Sequence, residues 1–269
     1  MNRFLISVAL VALSASPAAA QRLSDTFSLQ AAVYFPGVDS RVRVDATNGT
    51  TGSVVDFEND LGFDTNRTLP AFMAEWRPGD DWVLNAEYYA IGRENSTTID
   101  RELTVGDTVY PVNASVRSGF DSDIIRFTVG NRFYQTKNFE LGAAIGLHGT
   151  DFSIFIEGEG AAGGQAGQFQ SENRSVFAPL PTIGAFFTWE PAPKLSVNGR
   201  VDWLSLTIGE YSGRLVNTEI SAAYRIQKNI DIGAMYRFVD YRVRVNRDDW
   251  EGEVRYNFNG PAIFVQFGF

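Results

Sequence analysis

Ser122–Tyr134 reads SDIIRFTVGNRFY, and every second residue changes chemistry. Ile125, Phe127, Val129 and Phe133 fall on one side of an extended chain, while Arg126, Thr128 and Arg132 fall on the other. A period of two is a strand period, because successive side chains of a strand point to opposite faces. The split recurs. Trp82, Leu84, Ala86, Tyr88 and Ala90 oppose Asn85 and Glu87, and Val197, Val201 and Trp203 oppose Asn198, Arg200 and Asp202. Val216, Ile220, Ala222 and Tyr224 oppose Asn217, Glu219, Ser221 and Arg225. Ile230, Ile232, Ala234, Tyr236 and Phe238 oppose Asp231, Gly233 and Arg237. In LGAAIGLHGTDFSIF, Leu141, Ala143, Ile145 and Leu147 oppose Gly142, Ala144, Gly146 and His148. The fold must therefore give large apolar groups one environment and arginines and carboxylates another.

A soluble sandwich or barrel packs its apolar face inward and leaves the polar face to water. Here the polar faces are rich in Gly, Ala and Ser, with scattered Arg and Glu. The apolar faces carry aromatics near strand ends: Trp76, Trp82, Tyr134, Phe139, Trp189, Tyr224, Phe238 and Trp250. Such rings suit the two interfaces of a membrane, and 21 phenylalanines and 10 tyrosines favour strands in any case. Short joints at Pro78–Asp80, Gln135–Asn138, Glu190–Lys194 and Ile226–Asn229 alternate with long ones at Pro36–Arg67, Arg93–Asp121 and Ser153–Ser175. The short joints leave no room for helical crossovers, so the sheet is antiparallel. The chain's lysines, Lys137, Lys194 and Lys228, all lie in short joints.

The fold expected is all-β: a transmembrane, antiparallel up-and-down β-barrel with short periplasmic turns and long extracellular loops. The segments 24–35, 67–77, 81–92, 121–134, 138–152, 176–189, 194–208, 212–225, 229–244 and 249–269 give ten strands, with eight or twelve as alternatives. Twelve follows if Arg41–Asp56 or Arg101–Val116 enters the wall; extensions or hairpins above the membrane are the reading adopted for both. Pro261 interrupts the last segment and is expected at a bulge.

The chain opens MNRFLISVALVALSASPAAA. Arg3, the apolar run Phe4–Leu13 and Ala18–Ala20 read as a secretory signal over residues 1–20, leaving a barrel over 21–269. The apolar run is too short for a helical span. There is no cysteine among the 269 residues, which excludes disulfides and thiolate chemistry. A formal charge of −9 argues against nucleic acid as a partner.

With the polar faces assigned to the lumen, Arg126, Arg132, Arg200, Arg225, Arg237 and Arg255 stand against Glu75, Glu87, Glu140, Asp202, Glu219 and Glu253. A selective pore would favour one sign of charge; a balanced set reads as a salt-bridged, hydrated interior. Gly142, Ala144 and Gly146 are expected to make room for arginine side chains from neighbouring strands. The role expected is non-enzymatic, structural or surface-interacting, through the long loops. One alternative is a narrow channel for small or hydrophobic solutes. Another is a lipid-modifying enzyme using His148, the one histidine, expected near the outer end of its strand as a donor to a luminal carboxylate. No Gly-x-Ser-x-Gly elbow accompanies it. Asp56, Glu58 and Asp60 could hold Ca²⁺ between a loop and lipopolysaccharide. They lack EF-hand spacing, and a solvated acidic loop is the plainer reading. No cofactor is expected. The partners expected are outer-membrane lipids and lipopolysaccharide, the oligomeric state a monomer, and the location the bacterial outer membrane.

The chain ends GPAIFVQFGF, with Ile263, Val265, Phe267 and Phe269 alternating to the last residue. This resembles the terminal strand of bacterial outer-membrane proteins. The resemblance implies that Phe269 is read by the barrel-assembly machinery during biogenesis. VVDFENDLGF, AEYYAIGR, ELGAAIGLHGTDF and YNFNGPAIFVQFGF resemble an uncharacterised family of outer-membrane β-barrel proteins of Gram-negative bacteria. That resemblance implies the fold and brings no activity with it.

Overall fold

Each alternating segment of the sequence becomes a strand, and the strands close on themselves. The computed structural model describes residues 22–162, 165–246 and 251–269; the expected signal segment and Trp250 lie outside the described residues. The strands are β1 (Phe27–Tyr34), β2 (Gly37–Val44), β3 (Val55–Asp56), β4 (Leu69–Trp76), β5 (Trp82–Thr98), β6 (Leu103–Val105) and β7 (Thr108–Tyr110). There follow β8 (Ser115–Gln135), β9 (Phe139–Ala162), β10 (Gln165–Ala192), β11 (Leu195–Ile208), β12 (Tyr211–Gln227), β13 (Ile230–Asn246) and β14 (Glu251–Gly268). β1, β4, β5, β8, β9, β10, β11, β12, β13 and β14 are neighbours in that order, and β14 pairs back onto β1. Ten antiparallel wall strands thus form a closed ring.

β2 continues the line of β1. Tyr34 faces Ala262 and Gly37 faces Asn259, so the register along β14 is the same on both sides of Phe35-Pro36. Part of Arg41–Asp56 therefore lies in the wall, as the upper half of its first strand. Pro261 makes no bulge either: β14 keeps one register with β13 and one with β1 and β2. The N–H of Phe35 donates to the Pro261 carbonyl at 2.9 Å. Gly260 lets the Phe35-Pro36 backbone come close, because a Cβ there would collide with the Phe35 carbonyl.

Much of the expected loop sequence is strand. β9 and β10 stay paired from Phe139–Trp189 up to Ala162–Gln165, and β5 and β8 from Trp82–Asn131 up to Thr98–Ser115. The sequence pattern conceals this because it changes phase. On β9, Leu141, Ala143, Ile145 and Leu147 point outward; a few residues on, Asp151, Ser153 and Glu157 point outward and Phe152, Ile154 and Ile156 are buried. On β8 the outward set passes from Phe127 and Ile125 to Asp123 and Asp121, while Ile124 and Phe120 turn inward. On β13, Ile232, Tyr236 and Phe238 give way to Asp240, Arg242 and Arg244 outside, with Val239, Tyr241 and Val243 inside. Below the change the barrel is apolar outside; above it the barrel is apolar inside, like a soluble protein.

One ladder ends early. β10 and β11 pair only from Ala192–Leu195 to Ile183–Trp203, although both strands continue. Pro179 and Pro181, just beyond, have no N–H to donate, and being two apart they remove donors from one edge. Leu180 covers Gly213 behind this seam.

The small luminal residues make room for rings as well as charges. Gly130 and Gly142 sit against Phe186, and Gly184 against Asp202. Arg126 reaches Asp202 beside Gly184, which pairs with Ala144. Gly142→Val should therefore press on Phe186 and the Asn131 carbonyl and destabilise the barrel by about 1–3 kcal/mol. Ala143→Val, on the outer face, should stay within about 0.5 kcal/mol. Urea unfolding in lipid vesicles checks the contrast.

Candidate functional site

The interior has two layers, split where the outer face changes character. The lower layer is ionic. From Arg200 a chain of ion pairs runs to Asp202 (2.7 Å), Arg126 (2.9 Å), Glu87 (2.6 Å), Arg237 (2.5 Å) and Glu219. β5 and β8 supply Glu87 and Arg126, while β11, β12 and β13 supply the rest, so the chain crosses the lumen. Arg126, Arg237, Glu87 and Asp202 are all buried. Nearer the short turns, Arg77 pairs with Glu75 (2.8 Å) and Glu140 (3.0 Å), and Arg132 reaches Glu140 at 3.4 Å. Arg225 joins Asp231 (2.6 Å) to Asp25 (2.5 Å). Between these groups lies a polar cavity of about 100 Å³, lined by Gln30, Asn85, Thr188, Asn198 and Gln266 among others. It has room for about three waters.

The upper layer is aromatic. Tyr34, Phe258, Tyr256, Phe120, Phe152, Tyr241 and His148 form a continuous series of ring contacts, with centroids 5.1–5.9 Å apart. Tyr89 and Phe57 join it at 5.7 Å each. The rings come from β1, β5, β8, β9, β13 and β14, and Phe152 meets Tyr241 across the lumen. Pairs at these distances add about 0.5–1.5 kcal/mol each beyond the area they bury.

A fully buried arginine helps tie the segment after β2 into this core. Arg93 has no exposed side-chain surface and pairs with Glu58 and the Ser40 hydroxyl. Its guanidinium lies 5.2 Å from the Phe63 ring centroid and 5.3 Å from that of Phe120. Glu58 also accepts from the Ser40 N–H at 2.8 Å. Phe57, Leu61 and Phe63 are buried with it.

The structure places Glu75, Glu87, Arg126, Arg132, Glu140, His148, Arg200, Asp202, Glu219, Arg225 and Arg237 in the interior. It sets Glu253 and Arg255 apart. They point outward, because above the phase change it is Val254, Tyr256 and Phe258 of β14 that face the core. His148 stands mid-barrel, as β9 runs on for 14 residues to Ala162. It lies in register between Arg126 and Leu180 and is 1% exposed. Its Nδ1 has no hydrogen-bond partner among the described residues. The acids Asp56, Glu58 and Asp60 diverge to three arginines: Arg41 at 3.0 Å, Arg93, and Arg101 at 2.5 Å. Arg77 and Arg93 belong to the interior and were not singled out from sequence, while Asp231, read on the polar face of its strand, also lies inside. Continuing the inward parity from Glu75 reaches Arg77, and continuing it from Glu87 reaches Arg93.

No family model and no curated protein matches the sequence. Solved structures do match in shape. The outer-membrane protease OmpT from Escherichia coli aligns with a TM-score of 0.59 at 11% identity, over 90% of this chain and 97% of that one. The translocator domain of autotransporter NalP from Neisseria meningitidis aligns at 0.46 and 12% identity, over 91% and 89%. A Pseudomonas aeruginosa FadL homologue aligns at 0.39 and 9%, over 91% of each chain. At such identity the first likeness speaks for the fold alone. The fold is that of a closed antiparallel β-barrel, as in the outer-membrane protease it aligns with.

Glu87→Ala would leave Arg126 and Arg237 buried without a shared counter-charge, and should destabilise the barrel by about 3–5 kcal/mol. Glu94→Ala, which breaks an exposed pair with Arg117, should lose less than about 1 kcal/mol. Arg93→Ala should release the segment over residues 45–67. The expected readout is protease cleavage there on intact cells, with the barrel still folded; an uncleaved segment would show that Arg93 is not its anchor.

Proposed function

We propose that the chain spans the outer membrane as a sealed barrel and acts through the part that stands above it. The observation supporting this is the double closure of the lumen, by the ion pairs from Arg200 to Glu219 and by the rings from Tyr34 to His148. A conducting path would have to breach both. The 24 residues of β9 extend roughly 80 Å along the strand at about 3.3 Å per residue, whereas crossing the hydrocarbon takes only about 9–11 residues. More than half of the β9–β10 hairpin is therefore displayed outside. On β9 its core-facing Phe152, Ile154 and Ile156 are buried, which gives a firm surface for recognition.

In this reading residues 1–20 direct export and are removed, Phe269 is the signal read by the assembly machinery, and outer-membrane lipids and lipopolysaccharide surround a monomer. His148 is enclosed by Arg126, Leu180 and Tyr241, and the geometry gives it no route to a substrate.

Two measurements test the proposal. Cell fractionation should leave the protein in the outer membrane after carbonate washing and release it with detergent; recovery in the soluble fraction would contradict spanning. Reconstituted in planar bilayers, the protein should give no current above leak. Discrete, reproducible conductance steps would contradict a sealed lumen and favour the channel.

A further inference from the structure

Four arginines stand in one row across four neighbouring strands. The register sets Arg214 of β12 beside Arg242 of β13, Arg242 beside Arg255 of β14, and Arg255 beside Arg41 of β2. All four point outward. Like charges directly opposed in a sheet are destabilising, so the row calls for anions.

Among the described residues, its own neighbours supply them incompletely. Glu253 serves three guanidiniums at once: Arg242 at 2.9 Å, Arg244 at 2.6 Å, and Arg255. Burial alone would raise its carboxyl, but the hydrogen bonds from Arg242, Arg255 and Arg244 hold it down at about 2, so it stays ionised. Arg41 shares Asp39 (3.2 Å) and Asp56 (3.0 Å), while Arg214 meets Asp240 only at 3.9 Å. The side chains of the row remain 38–60% exposed. A hollow of about 80 Å³ opens among Arg41, Arg43, Arg255 and Glu253, between Val42 and Val54.

Height and sign narrow the occupant. On β13 the last apolar outward residue is Phe238; Asp240 follows, then Arg242. Four residues along a tilted strand is roughly 10 Å of height, on the order of a headgroup layer above the hydrocarbon. At the same level the far wall is acidic, with Glu94, Asp121, Asp123, Asp151 and Glu157 outward against Arg117. The basic row is thus a property of one side, not of the whole rim.

We propose that the row Arg214–Arg242–Arg255–Arg41 binds the phosphate groups of outer-leaflet lipids. Guanidinium forks match phosphate oxygens two at a time, which suits a row of arginines better than point charges would. The site rests on the membrane-spanning reading, and recovery of the protein in the soluble fraction would mark the failure of that reading separately.

The test uses the full mature protein in a zwitterionic detergent, with native mass spectrometry as readout. The probes are diphosphorylated lipid A, lipid A stripped of both phosphates, and inorganic phosphate. The wild type should retain diphosphorylated lipid A, and the Arg242→Gln/Arg255→Gln pair should bind it about tenfold more weakly or worse, the scale of a lost charge-assisted contact. Arg117→Gln, on the acidic side, should bind as the wild type does. Heat-modifiable migration on gels reports folding; if the double variant does not fold, Arg214→Gln and Arg41→Gln, at the ends of the row, take its place. Undiminished binding by the folded row variants would overturn the proposal. So would equal binding of the phosphate-free lipid, or displacement of lipid A by millimolar inorganic phosphate, which would mean a free-anion site.

Discussion

Hydrocarbon cannot hydrogen-bond to a peptide group, and water does not favour bare isoleucine; the strands of this barrel carry an apolar outer face along one stretch and a polar one along the next. The closed ladder answers the first constraint, with β14 paired to β13 on one edge and to β1 and β2 on the other. The phase change answers the second. Where the outward residues pass from Leu147 to Asp151, or from Phe238 to Asp240, the apolar face moves from outside to inside without any break in the strand. The upper barrel buries rings; the lower one buries charges and turns its apolar residues outward.

This division sets the cost of each layer. In the lower lumen every ionised group needs a partner, since an unpaired buried charge is far more costly than a lost contact. The chain from Arg200 to Glu219 meets that need by sharing: Asp202, Glu87 and Arg126 each bridge two opposite charges. In the upper lumen the burden falls on packing, and Arg93 is the exception. Its charge is met by Glu58 and its flat faces by Phe63 and Phe120. This buried pair, with the buried Phe57, Leu61 and Phe63, holds the chain between β2 and β4 against the aromatic core.

The antiparallel ring was legible in the sequence from alternation and the short joints, with ten strands expected and eight or twelve as alternatives. Strand length was not, for a physical reason. A reader who equates apolar with outward stops each strand where the pattern appears to fail, near Gly92, Asp121 or Phe152. The pattern has only inverted there. The same assumption put Glu253 and Arg255 in the lumen, opposite Val254 and Tyr256, when the two pairs have changed places. The ion pairs of the lower layer could be anticipated as a balanced set of charges, but not their connectivity, because partners such as Glu87 and Arg237 are 150 residues apart. Of the aromatic layer, Phe57 and Phe120 lie in segments that read as loops; Tyr34, Tyr89, Phe152, Tyr241, Tyr256 and Phe258 lie in expected strands, where equating apolar with outward hid their inward direction. A cross-strand row such as Arg214–Arg242–Arg255–Arg41 needs the register, which alternation does not give.

The account stands or falls on what touches the outward face of the lower barrel. The chain has no cysteine, so a nitroxide can be placed singly at Phe127→Cys, Ile145→Cys or Ile220→Cys. Spin-label power saturation in lipid vesicles should find all three sites open to oxygen and closed to an aqueous nickel reagent. Relaxation by nickel at these positions, or labels shielded from both reagents, would mean that these side chains face water or a protein core, and the inside-out barrel would be wrong.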